Sequence, residues 1–294
     1  MQFGVVVLPE LPWAQTAVRW RKAEELGFDH AWTYDHLAWR SFRDQAWYSA
    51  IPTLTAAALV THRLRIGTLV ASPNFRHPLP LAKELITLDD ISGGRLTAGL
   101  GAGGQGWDAS ALGHAAWSQR ERGERFVEFV TLADKLLRQP ELTWNGRYYS
   151  VSDARTYPGC VQRPRVPFAI AATGPTGMRL AADYGDFWVT TGPTAAGSVG
   201  PAEGAGIVGA QVRQVDDACH QIGRDTSSLR KLVLTGFALS PGLSSPQAFQ
   251  DTVGRYEEVG VTDFVVHWPR GSEPFAGDME LFERIFSARK AGPA

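Results

Sequence analysis

The chain has 294 residues, 44% of them hydrophobic and 20% charged, with a formal net charge of −1. That length suits one large domain or two average ones, and the balance is that of a globular protein with a sizeable core. Near-neutrality without a cationic run excludes nucleic acid and anionic membrane as expected partners, and no apolar run reaches the roughly 18 residues of a membrane span.

The first apolar run, residues 3–8, has no charged leader before it and is closed by Pro9, so it reads as a buried strand rather than a signal peptide. Residues 14–26 place Ala17, Val18, Ala23 and Leu26 at helical spacing and stop at Gly27. A strand is expected over 29–34, a helix over 46–62, a strand rich in apolar and β-branched residues over 64–71, a helix over 79–91, and a fourth strand over 95–101 after Gly93-Gly94. A long amphipathic helix follows over 118–138, with Phe126, Val130, Ala133 and Leu137 on one stripe. Asn145-Gly146 then marks a hairpin turn, giving an insertion over 140–160. Strands over 166–171 and 186–190 flank a helix over 176–184, and residues 192–209, rich in Gly, Ala, Ser and Pro, read as a mobile loop. Helices over 208–222, 245–259 and 279–289 and strands over 231–239 and 262–268 complete the chain. Strand–helix alternation repeated eight times predicts an α/β fold, a (β/α)8 TIM barrel with insertions, formed by one domain spanning 1–294. The competing open doubly wound sheet would place a phosphate loop after the first strand, where Leu8-Pro9-Glu10-Leu11-Pro12 stands instead.

In such a barrel the residues just after each strand build the site. Asp35-His36 is the acid–histidine pair at a strand end, and a histidine there can move a proton near neutral pH; the plain alternative has Asp35 capping and His36 packed. His267, inside a buried run, is a second candidate; His77, before Pro78, fixes a loop. Gly101, Gly103 and Gly104 let the backbone approach a flat or phosphorylated ligand, or form a surface turn. They are not the dinucleotide fingerprint, because the next element opens only near Ser118. Thr173-Gly174-Pro175-Thr176-Gly177 opens a helix, with Thr173 as the expected N-cap and a phosphate cradle as its additional use. Cys160 and Cys219 form no metal pattern and read as reduced thiols of a cytoplasmic protein. No metal is expected, and no Gly-x-Ser-x-Gly elbow occurs. Ten tryptophans suit a site that grips a large planar ligand.

Several of these segments together resemble the bacterial luciferase-like superfamily. They are Tyr34-Asp35-His36, Gly67-Thr68-Leu69-Val70-Ala71-Ser72-Pro73-Asn74-Phe75-Arg76-His77-Pro78, Gly93-Gly94-Arg95-Leu96 with Gly99-Leu100-Gly101-Ala102-Gly103, Asn145-Gly146-Arg147-Tyr148-Tyr149, Gln162-Arg163-Pro164-Arg165-Val166-Pro167 and Ala181-Ala182-Asp183-Tyr184-Gly185-Asp186. Within it the chain is most similar to the branch using the deazaflavin coenzyme F420, with FMN as the alternative cofactor. The resemblance implies His36, Asp35 and Trp39 as catalytic residues and a non-prolyl cis peptide at the end of strand three, at Leu69-Val70 or one bond later. It implies cofactor contacts from Asp35, Leu69, Val70, Ser72, Gly103, Trp107, Ala172, Thr173, Gly174, Thr176 and Gly177. Gly104 stands where the glucose-6-phosphate dehydrogenases carry a carboxylate, which sets the chain apart from the sugar-phosphate reaction. An aromatic substrate pocket of Trp13, Phe75, Trp188, His267 and Trp268 points instead to a large, weakly polar molecule. The resemblance also implies a homodimer through the helices after strands two and three, which carry Ile51, Leu54, Ala57, Ala58 and Val60, and Leu81, Leu85, Ile86 and Leu88. An FMN-dependent monooxygenase and a flavin-binding barrel without turnover are the alternative functions.

Overall fold

The computed structural model describes residues 1–104, 107–193 and 197–290. In chain order these form β1 (Gln2–Val6), α1 (Trp13–Glu25), β2 (His30–Thr33), α2 (Ala50–Val60), β3 (Arg65–Thr68), α3 (Pro78–Ile91), β4 (Leu96–Gly101), α4 (Trp107–Ala111) and α5 (Gln119–Arg138). Then come β5 (Glu141–Asn145), β6 (Ser150–Arg155), β7 (Phe168–Ala171), α6 (Pro175–Tyr184), β8 (Phe187–Thr190), α7 (Pro201–Gln221), β9 (Arg230–Leu234), α8 (Pro246–Glu258), β10 (Asp263–His267) and α9 (Met279–Lys290). Eight strands close in the order β1-β10-β9-β8-β7-β4-β3-β2, each pair parallel, so the expected (β/α)8 barrel is the fold.

Alternation along each strand divides the core in two. Val6, Trp32, Ala169, Phe187, Val189, Leu232, Leu234 and Val265 pack together inside the barrel. Their sequence neighbours Val5, Val7, Ala31, Phe168, Ile170, Trp188, Val233, Phe264 and Val266 pack outward under the helices. A parallel strand covered on both faces has this two-sided burial.

Several expectations change. The third strand ends at Thr68 rather than 71; a cis Leu69-Val70 peptide follows, and Ala71 returns to pair with Leu100. The second helix opens at Ala50 rather than 46, with Pro52 in its first turn, where proline costs no hydrogen bond. The sequence reading has no helix where α4 lies. The segment 192–209 is not one loop, because α7 begins at Pro201; residues 194–196 of that span lie outside the described residues. Two of its glycines serve packing: a Cβ on Gly204 would meet Tyr256 Oη at 2.5 Å, and one on Gly209 would meet Val259 at 3.0 Å, so both let α7 lie close to α8. The residues singled out for a dimer also change role. Ile51, Leu54, Ala57, Ala58, Leu81, Leu85, Ile86 and Leu88 are buried in the chain's own core, and only Val60 is half-buried.

The insertion is the expected hairpin, β5 antiparallel to β6. Its turn is gripped by α5. Glu128 accepts the backbone amides of Arg147, Tyr148 and Tyr149 at 2.9–3.1 Å, and Glu124 accepts Tyr148 Oη at 2.6 Å and Arg147 at 2.8 Å. Ser118 caps α5 by accepting from Glu121 N.

At the C-terminal end the barrel interior is stoppered by aromatic rings. Tyr34, Trp39, Phe42, Phe237, Phe275 and His267 form one cluster of stacked, tilted and edge-on rings, with His267 lying on Phe275 at 3.4 Å between centroids. Tyr34 Oη donates to His267 Nε2 at 2.5 Å. Burial pushes the His267 imidazole down to about 3. A histidine titrating lower in the fold than in the unfolded chain stabilises the fold fully above its ordinary value near 6.5. That contribution is lost as pH falls toward 3, at about 1.4 kcal/mol per pH unit within the window. The chemical-denaturation midpoint should therefore fall between about pH 6.5 and pH 4, and His267→Gln, which can still accept from Tyr34, should flatten that slope. Equal slopes in the two proteins would show that His267 does not carry the acid sensitivity.

Candidate active site

A cavity of about 1460 Å³ opens at the C-terminal ends of the strands, where the loops after β2, β3, β4 and β7 meet α5 and the hairpin. His36 and Trp39 reach it from the β2 loop, Leu69, Val70, Ser72 and Asn74 from β3, and Gly101 to Gly104, Trp107 and Asp108 from β4 and α4. Ala172 to Gly177 enter from β7 and the start of α6, and Trp144, Arg147 and Tyr148 from the hairpin.

The acid beside His36 in space is not the acid beside it in sequence. His36 Nδ1–H donates to Asp108 Oδ2 at 2.7 Å, and Asp108 Oδ1 accepts the amides of Leu37 at 2.8 Å and Ala38 at 3.4 Å. Trp47 Nε1 donates to the His36 carbonyl. Asp35 points the other way, off the cavity wall, because successive residues leaving a strand alternate in direction. It is buried in a two-point ion pair with Arg76, Nε to Oδ2 at 2.9 Å and Nη2 to Oδ1 at 2.7 Å, and Arg76 also reaches Glu84. Burial raises the Asp35 carboxyl above its ordinary value despite Arg76. The carboxylate–imidazole pair that can fix a tautomer, with Nε2 left for proton exchange, is therefore Asp108–His36.

The wall formed by the loops after β3 and β4 has the character of a flat ligand's bed. A Cβ on Gly101 would meet Val70 at 2.4 Å, and Gly103, at φ +70°, carries the chain past Asn74, whose side chain donates to the Gly104 carbonyl. Ser72 Oγ lies buried on this wall with no partner among the described residues. Such an orphaned hydroxyl costs free energy unless a ligand satisfies it. The start of α6 is likewise open. Its N-cap is Gly174 rather than the expected Thr173, and no side chain caps it. The first amides of a helix lack internal partners, so those of Thr176 and Gly177 are free for an anion. Nothing lies within 4 Å of where a Cβ on Gly174 would stand. A planar ring with a phosphate-bearing tail fits this donor set.

The expected substrate residues are not on the cavity wall. Trp188 and Trp268 fall on the outward parity of β8 and the end of β10; Trp188 Nε1 donates to the Ala172 carbonyl beneath the helices, and Trp268 packs on Phe282. His267 faces inward but lies under the rings of Tyr34, Phe237 and Phe275. Phe75 turns to the Arg76 guanidinium at 4.7 Å, and Trp13 lines a separate small recess beside Tyr48 and Pro52. The wall is instead aromatic through Trp39, Trp107, Phe237, Phe126, Trp144 and Tyr148. The sequence reading missed Asp108, Arg40 and Phe237. Asp108 sits on a single helical turn with no apolar periodicity, and its partner is 72 positions away. Among the described residues no group of three or more His, Cys, Asp or Glu side chains is placed to hold a metal, and no helix is long and apolar enough to cross a membrane.

Known proteins share both sequence and fold with this chain. It is 38% identical over 173 residues to an F420-dependent glucose-6-phosphate dehydrogenase of Beutenbergia cavernae, covering 58% of this chain and 50% of the relative. It is 31% identical over 170 residues to an F420-dependent hydroxymycolic acid dehydrogenase of Mycobacterium tuberculosis, covering 57% and 46%. The chain thus spans about half the length of the curated relatives it matches. An F420-dependent secondary alcohol dehydrogenase solved with an F420–acetone adduct superposes with a TM-score of 0.80 at 19% identity, over 98% of this chain and 97% of that one. The model of the luciferase-like monooxygenase family matches residues 1–261, and the chain belongs to that family.

Proposed function

We propose that the chain is a coenzyme F420-dependent oxidoreductase acting on a fairly large, weakly polar organic substrate. The observation that carries this reading is one cavity that brings together the orphaned Ser72 hydroxyl, the uncapped start of α6 and an imidazole held by a buried carboxylate. The glucose-6-phosphate and hydroxymycolic acid dehydrogenases it resembles in sequence are named for F420. A bound deazaflavin would supply two-electron hydride chemistry without a metal.

The chain's own residues have separable tasks in this reading. Leu69, Val70, Ser72, Gly103 and Trp107, which line the cavity, would hold the ring. Ala172, Thr173, Gly174, Thr176 and Gly177 hold a phosphate at the positive end of α6. His36, fixed through Nδ1, gives a proton to the substrate oxygen or takes one from it at Nε2, and Trp39 packs beside the reacting carbon. Asp35 acts from behind the wall, holding Arg76 and the loop that follows β3. Buried free thiols at Cys160 and Cys219 suit a cytoplasmic enzyme. Self-association would use what remains exposed and apolar on α2 and α3, namely Leu59, Val60 and Ile91.

Titration of the purified protein should give a dissociation constant for F420 at least about tenfold below that for FMN, or about 1.4 kcal/mol. Tighter FMN binding with oxygen uptake would mark a monooxygenase, and cofactor binding without turnover of any alcohol or ketone would mark a binding protein. His36→Ala should lower kcat on the order of 10²–10⁴-fold with little change in F420 affinity; near-normal turnover would remove His36 from the chemistry. Light scattering at micromolar concentration should report about twice the chain mass, and a monomer mass would reject the α2–α3 pairing.

A further inference from the structure

The cavity wall beside Trp39 carries a cation without a carboxylate. Arg40 follows Trp39 at the start of a short 3₁₀ turn, with its backbone in the left-handed region at φ +44°. A non-glycine residue held there is uncommon and marks a constrained or functional position. Its guanidinium lies 4.8 Å from the Phe237 ring centre and 5.3 Å from that of Trp39, and all three residues line the cavity.

Most other arginines around the mouth have partners: Arg76 has Asp35 and Glu84, Arg270 has Glu10, Arg120 and Arg147 share Glu124, and Arg122 donates to the Trp117 carbonyl. The Arg40 guanidinium pairs with no acid among the described residues. Three residues on, Arg43 repeats the arrangement, stacked at 5.4 Å on Trp107 at the edge of the same cavity. Asp108, a buried acid on the wall of the same cavity, is already occupied by His36 and two amides.

Stacking on a ring fixes the plane of a guanidinium and leaves its N–H edge free. That edge matches the two oxygens of a carboxylate. We infer that Arg40 receives a carboxylate on the substrate. The molecule turned over is then an organic acid whose apolar body lies along Trp39 and Phe237 and whose acidic end reaches Arg40. The Arg40 guanidinium by itself carries one positive charge, which a single carboxylate matches. The inference rests on the reading of this cavity as the cofactor and substrate site, and it narrows the substrate of that site.

Binding of three probes to the full chain, with and without F420, tests it: phenylbutyrate, phenylbutanol and phenylpropyl phosphate, measured by calorimetry at low salt. Phenylbutyrate should bind about tenfold more tightly than phenylbutanol. Arg40→Gln should abolish that preference, and Arg40→Lys, which keeps the charge but not the planar fork, should retain part of it. Equal affinity for acid and alcohol, or a preference that survives Arg40→Gln, would overturn the assignment. The tightest binding by the phosphate would overturn the carboxylate class. Loss of F420 binding in Arg40→Gln, with the acid preference intact, would give Arg40 to the cofactor instead. Because the acid–alcohol comparison is also made without F420, failure of the wild-type protein to bind F420 sinks the cofactor reading without deciding this one.

Discussion

A single buried carboxylate, Asp108, joins the two loops on which the mouth of the barrel depends. An ionised carboxylate removed from water is costly unless its lone pairs are met by donors. Asp108 meets this condition through the imidazole of His36 and two consecutive amides, all from the loop after β2. The loop after β4 thereby sets where His36 can sit. The same loop carries Gly101 and Gly103, whose missing side chains let it lie against Val70 and Asn74. A ligand seated on the glycines and a proton moved at His36 therefore share one support.

The barrel holds a second histidine–carboxylate pair at its other end, and the contrast shows what the mouth adds. Trp32 Nε1 donates to His30 Nδ1 at 2.7 Å, His30 Nε2–H donates to Asp263 at 3.0 Å, and Arg230 closes on the same carboxylate. Burial pushes the Asp263 carboxyl up, but His30 and Arg230 outweigh it and hold it below its ordinary value. This pair is sealed on every side. At the bottom of such a barrel a network of this kind serves stability. The chemistry of the two pairs is alike, and exposure to a cavity distinguishes them.

Much of the architecture was legible because alternating apolar runs and glycine stops report directly on strands and helices. Strand ends also carried His36, Trp39, Leu69, Val70, Ser72 and the start of α6 to one cavity. Parity was the first failure. Strand residues one position apart face opposite sides, so the register sends Trp188, expected at the mouth, under the helices. The same rule separated Asp35 from His36. Composition was the second failure: glycines at 204 and 209 resembled a loop but bring two helices together. Asp108 and Arg40 were not legible at all, since each derives its meaning from residues distant in sequence, His36 for one and Phe237 for the other.

The clasp between α5 and the hairpin turn has a consequence for how this family member can diverge. Glu128 holds the turn by its backbone amides, which every amino acid except proline provides, and steric limits act mainly at Gly146, where a methyl group would strike Glu128 at 1.8 Å. The grip therefore reads the path of the chain and little of its side-chain content. Trp144 and Arg147, which face the cavity from this hairpin, can be exchanged without loosening those amide bonds. The outer wall of the pocket is thus open to substitution at these positions, so selectivity can drift there while the barrel that carries the chemistry stays fixed.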